Sequence, residues 1–198
     1  LNYIRKIAQT PGNQIYKEYK KKFKISGSYF DENGLKIFIT GKARITGDWK
    51  DHIGGSGDIG LTSLSISLKK SNIGGVTNFR ILLPRTRLNL NEIFWSSLME
   101  EVGLPVPLRK IILVKINGVE HEYIFEEKPE KEFLESIGIR EAPIFEYDER
   151  QIWANRENNP NKIKDFQNAS IAQYKIKNKD FIKNELSELI SLKAISSL

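Results

Sequence analysis

The spacing of apolar residues predicts a strand-rich first half. Residues 36–47, KIFITGKARITG, are rich in Ile and Phe and alternate well enough to be a strand, the period that gives a strand one core-facing side. The preceding KFKISGSYF is its expected hairpin partner, because Asp31-Glu32-Asn33-Gly34 lies between them and Asn-Gly accepts the positive φ of a tight turn. In LSISL, Leu64, Ile66 and Leu68 share a face, and FRILL at 79–83 reads as a fourth strand closed by Pro84. A helix is then expected from Asn89 or Asn91 as N-cap to Val102, with Leu90, Phe94 and Leu98 as its apolar stripe and Gly103 as a left-handed C-cap.

The pattern switches back at KIILVKI, 110–116, which has the run of β-branched residues of a buried strand. Asn117-Gly118 turns it into a return strand, Val119–Glu127. Pro129 opens a short helix with Phe133, Leu134 and Ile137 inward, and Gly138 ends it. Beyond Pro160 the chain reads as one or two amphipathic helices, the last with Ile182, Leu186 and Leu189 on a face. The order of elements predicts an α+β fold: an antiparallel sheet, a helix after the fourth strand, a β-hairpin and C-terminal helices.

Composition narrows the chemistry. The 198 residues are 39% hydrophobic and 10% aromatic, enough for one sizeable core. With no cysteine there is neither a disulfide nor a thiolate metal site, and two histidines, His52 and His121, exclude an imidazole-rich metal centre. No apolar run reaches the ~20 residues of a membrane-spanning helix, so no membrane span is expected. The chain starts at Leu1 rather than Met and stops after Ser196-Ser197-Leu198, so it reads as a piece of a longer protein. The expected organisation is a basic lead-in at 1–22, an incomplete α+β domain at 23–150 and a helical segment at 151–198 that leads into a missing C-terminal part.

The net charge of +6 conceals a gradient. Residues 1–50 hold eleven Lys or Arg against four Asp or Glu, a balance of 11 − 4 = +7, whereas residues 119–150 hold four against eleven, 4 − 11 = −7. Lys17, Lys20, Lys21, Lys22 and Lys24, interleaved with Tyr16, Tyr19 and Phe23, have the charge and rings to dock a polyanion or an anionic membrane surface. The plainer reading is a solvated linker. The stretch lacks the Arg-rich, Gly-bearing aromatic pattern of an RNA-binding sheet, so nucleic acid is not the expected partner.

Two candidate sites remain. Alternation along VEHEYIFEE puts Val119, His121, Tyr123, Phe125 and Glu127 on the apolar face and Glu120, Glu122, Ile124 and Glu126 on the other. Glu126 is therefore expected among solvated acids. Glu127 is expected to face inward, where a carboxylate needs a cation, a hydrogen bond or a helix N-terminus. The glycine-rich loop DHIGGSGDIG, 51–60, has the free amides of an anion nest but neither Gly-Lys-Ser/Thr nor dinucleotide spacing, so a mobile hairpin loop is the expected account.

VKINGVEHEYIFEEKPEKEFLE resembles the CotH family of spore-coat and surface proteins, in which a Glu-Lys pair follows a Tyr by four residues, as Glu127-Lys128 follows Tyr123. NFRILLPRTRLNLNEIFWSSLMEEVGLPVP, ARITGDWKDHI and SLSISLKK are similar to that family's earlier segments, and the likeness spans about residues 36–135. It implies the small-lobe side of an atypical protein-kinase-like fold, with ATP and magnesium as cofactors and phosphoryl transfer to Ser or Thr of a surface or coat protein. By that resemblance Glu127 orients a phosphate-binding lysine or helps hold metal; Lys70 is the first candidate cation, Lys69 the alternate, and Arg87 matches the family's loop arginine in approximate position.

The chain departs from the family at Glu122-Tyr123, at Thr46-Gly47-Asp48 and at Thr62-Ser63, and Asp148, Asp165 and Asp180 lie in contexts unlike those of catalytic aspartates. The catalytic residues are thus expected beyond Leu198, with this piece inactive alone. The alternative is a non-catalytic binding or scaffold module that docks a polyanion or a protein through its basic N-terminal arm. The compartment is left open, with a cell-envelope or surface association implied by the resemblance alone.

Overall fold

The structure, a computed structural model, describes residues 6–54, 61–140, 144–146 and 170–173. The chain divides into two compact units, Leu1–Lys128 and Pro129–Leu198. The first is built on six strands: β1 (Phe23–Phe30), β2 (Lys36–Ile45), β3 (Leu64–Leu68), β4 (Asn78–Leu82), β5 (Arg109–Ile116) and β6 (Val119–Glu127). They form one antiparallel sheet in the order β1-β2-β3-β4-β6-β5.

Both hairpins form where the turn residues place them. Phe30 pairs with Lys36, and Asp31 Oδ1 accepts the amides of Asn33 and Leu35 at 2.9 and 2.8 Å while Gly34 takes φ 76°. Ile116 pairs with Val119 across Asn117 (φ 50°) and Gly118 (φ 89°), the doubly left-handed turn that matches strand twist.

Alternation assembles the core on one face of this sheet. Ala43, Ile45, Leu64, Ile66, Leu68, Phe79, Ile81, Tyr123 and Phe125 are all buried there, and Phe79 stacks on Phe125 at 4.7 Å between ring centroids. Each large side chain buried here stabilises the fold by roughly 1.5–3 kcal/mol relative to exposure. The lead-in contributes to this core: Ile7 and Ile15 are buried in it, and the Ile15 amide donates to Asp48 O at 2.8 Å.

Helix α1 (Asn91–Glu101) follows β4 as expected, and Gly103 beyond it takes φ 78°. Its N-cap is Leu90, with no side-chain cap, because Leu88 and Asn89 both sit in the left-handed region and the Asn89 amide donates to Pro84 O at 2.9 Å. The apolar stripe does not face a core: Leu90, Phe94 and Leu98 are exposed, and Ser96 is the buried residue of the helix. The helix meets the sheet through polar groups instead, on the face away from the core.

In the second unit, helix α2 (Lys131–Ser136) buries Phe133 and Leu134, and Gly138 takes φ 69° beyond its end; Ile137 is half-exposed. Strands β7 (Ile144–Glu146) and β8 (Ser170–Gln173) pair antiparallel. That corrects the helical expectation at 170–173, where four residues are too few for periodicity to separate strand from helix. The remainder of the expected C-terminal helices lies outside the described residues.

Candidate functional site

Registry across the sheet brings charge to the end of β6. Arg80 of β4 and Arg109 of β5 both pair with Glu126, so all three side chains emerge on the face opposite the core. Glu126 is 4% exposed. Arg80 Nη1 donates to its Oε1 at 2.6 Å and Arg109 Nε to its Oε2 at 3.3 Å. Arg109 continues into α1: its Nη1 donates to Ser96 Oγ at 2.9 Å and its Nη2 lies 3.5 Å from Glu92 Oε1. Two guanidiniums thus face two carboxylates. The expectation that Glu126 is solvated is overturned, because pleating assigns a side chain to a face without saying what covers that face. Here two arginines and α1 do.

Glu127 does face inward, at 6% exposure. The Leu108 amide donates to its Oε2 at 3.0 Å, and its own amide donates to Leu108 O at 2.9 Å. The carboxylate is therefore held by backbone just ahead of β5. The Leu68 amide donates to Thr77 O and the Lys128 amide to Asn78 O, so the end of β3, the start of β4 and the end of β6 share one end of the sheet. Lys69 and Lys70, both exposed in the bend after β3, leave from that end of the sheet, two strands across from Glu127 and Lys128. Arg87 does not. It follows β4 at the other end, about 15 Å of strand away, and donates to Thr86 O at 3.2 Å.

No group of three or more His, Cys, Asp or Glu side chains able to hold a metal occurs among the described residues. Glu126 accepts from Arg80 and Arg109 with both oxygens, Glu127 accepts from the Leu108 amide with Oε2, and the two acids lie on opposite faces of β6, so together they do not make a magnesium site. Asp148, Asp165, Asp180 and loop positions 55–60 lie outside the described residues.

His52 belongs to a cluster at the Arg87 end that sequence reasoning did not find. It is 6% exposed, and its Nδ1 has no hydrogen-bond partner among the described residues. Gly47, at φ 90°, lies against the ring: a Cβ on it would fall 2.0 Å from His52 Cδ2. Burial lowers the imidazole pKa; Arg87 and Lys20 push the same way, and Asp51 and Asp48 oppose them. Arg85 braces the loop, donating from Nε to Asp51 O at 3.0 Å and from Nη2 to Ile53 O at 2.9 Å. The one sequence signal is Gly47 itself, five residues ahead of the histidine. Tyr123, fully buried in the core, has its pKa raised by that burial, and the nearby Thr62 backbone opposes the shift.

Of the basic lead-in, Lys20 is committed to Asp48 at 2.5 Å, while Lys21, Lys22 and Lys24 are exposed. Trp49 and Trp95 are about half-exposed rather than packed away. Glu92, Trp95, Ser96 and Met99 of α1 line a groove of about 260 Å³ together with residues 104–107 and Arg109. No protein-family model, curated protein or solved structure matches the chain.

Proposed function

We propose that residues 36–135 form the nucleotide-handling part of a CotH-like, atypical-kinase-like phosphotransferase that acts on Ser or Thr of a surface or coat protein, with ATP as phosphoryl donor and the catalytic aspartates outside this stretch. The observation that carries the reading is the inward Glu127: a buried carboxylate fixed by the Leu108 amide, at the same sheet end as Lys69, Lys70 and Lys128. Phosphoryl transfer is chiefly positioning and charge stabilisation. In this reading the exposed ammonium groups of Lys70 and Lys69 receive phosphate oxygens, Glu127 sets the local field and backbone that orient them, and Arg87 lies too far along β4 to join the same phosphates. Magnesium enters with the nucleotide rather than on Glu126, whose two oxygens are engaged by Arg80 and Arg109.

The test is thermal unfolding of the whole chain with ATP and magnesium. A ligand that binds only the folded state stabilises it by about 2.7 kcal/mol at 100 times its Kd. A saturable rise in Tm is expected, lost in Lys70→Ala combined with Lys69→Ala and reduced in Glu127→Gln. A Tm that stays flat through millimolar ATP-magnesium, with the protein folded, refutes the reading.

A further inference from the structure

We propose that α1 is a docking surface for a cationic amphipathic helix of a partner protein. The helix turns its apolar residues away from the sheet: Phe94, Trp95, Leu98 and Met99 are 62%, 55%, 40% and 38% exposed. Positions 94 and 98, and 95 and 99, are the i, i+4 ridges along which helices interlock. The groove beside them, about 260 Å³ between Trp95 and the 104–107 segment, admits an apolar side chain as an anchor. An exposed apolar surface of this kind on a chain with a separate, complete core marks an interaction site.

Charge selects the occupant. Helix α1 has no Lys or Arg, the groove's Arg109 is already paired with Glu92 and Glu126, and Glu100 and Glu101 stand in the last turn, where the helix dipole is also negative. Neither makes an ion pair among the described residues. Two carboxylates at a negative helix end repel one another and the terminal carbonyls, and a cation laid there relieves both. A second copy of α1 would bring only more acid, and an anionic membrane would be repelled. An amphipathic helix with Lys or Arg beside its apolar stripe satisfies ridge, groove and charge together. Nothing in this surface depends on nucleotide binding.

The test uses the whole chain and a synthetic amphipathic Leu/Lys peptide, its Leu/Glu counterpart and phospholipid vesicles, followed by tryptophan fluorescence with Trp95→Phe as the reference. Saturable one-to-one binding of the Leu/Lys peptide is expected, with a blue shift absent from Trp95→Phe. The Leu/Glu peptide should bind at least about tenfold more weakly, and Glu100→Gln with Glu101→Gln should erase that preference. Phe94→Asp, at an exposed position that leaves folding intact by circular dichroism, should abolish binding. Equal affinity for both peptides, binding indifferent to Phe94→Asp, or no binding overturns the proposal. So does partition onto vesicles, which would assign the face to lipid, or concentration-dependent self-association lost in Phe94→Asp, which would assign it to a second copy.

Discussion

Arg80 donates to Glu126 at 2.6 Å from the neighbouring strand, and the acid is almost fully buried at 4% exposure. The pair is completed from the other side by Arg109, so the carboxylate is stable in a low-dielectric setting only while both strands keep their register. Removing the acid leaves two guanidiniums facing each other; removing one partner of a buried pair costs about 3–5 kcal/mol. Arg80 is 34% and Arg109 23% exposed, and water therefore offsets part of that cost. Glu126→Ala should lose about 2–4 kcal/mol in urea unfolding. Arg80→Met with Glu126→Leu should recover part of it, since one guanidinium leaves with the acid while Arg109 loses Glu126 and keeps Glu92 and Ser96.

Gly47 and Gly118 separate strain from collision. Both have φ near 90°. A Cβ at Gly118 meets nothing within 4 Å, whereas one at Gly47 meets the His52 ring at 2.0–2.5 Å. Gly118→Ala should therefore cost about 1 kcal/mol, the conformational penalty alone. Gly47→Ala should cost distinctly more, and His52→Ala in the same chain should restore only the part due to collision. Equal losses at the two glycines would mean that the His52 ring moves aside freely.

The contrast also shows what a sequence can and cannot reveal here. The strands were legible from alternation in β2, β3 and β6 and from the Asn-Gly turns at 33–34 and 117–118. Strand β5 read as a buried run, yet it is an edge strand with no buried residue, because a run of apolar residues does not say which neighbours cover it. The inward side of Glu127 was legible from the alternation in β6. The setting of Glu126 was not: its partners Arg80 and Arg109 lie 46 and 17 residues away, and only strand pairing brings them to it. The Leu90, Phe94, Leu98 stripe promised burial, yet a helix's periodicity names a common face without naming the surface it meets. His52 escaped notice because its burial comes from Gly47 and the loop around it, and one histidine in DWKDHIGG has no period at all.

Alkaline pH should act through Tyr123. Its folded pKa is raised by burial, so the unfolded chain loses its phenolic proton first, near pH 10. The contribution of the neutral hydroxyl is complete below that value and is lost as pH rises toward the folded pKa. Tyr123→Phe should keep the neutral-pH core nearly intact, since the ring remains, and should flatten the fall in Tm between about pH 9.5 and 11. A variant that falls as steeply as the parent would place the alkaline transition elsewhere.

Acid should act through His52 with the opposite slope. Its folded pKa lies below 6.5 because burial disfavours the imidazolium, so between the folded and unfolded pKa values the unfolded chain binds the extra proton. Stability therefore rises with pH across that window, is complete above about pH 6.5 and is lost as pH falls toward the folded pKa. Thermal unfolding from pH 7.5 to 5.0 should show a falling Tm in the parent and a flatter profile in His52→Gln, even though the substitution lowers Tm overall by disturbing the contact with Gly47. Parallel profiles in parent and variant would mean that the buried imidazole does not titrate in this range, and that the loop from Gly47 to Ile53 stays closed whatever its charge.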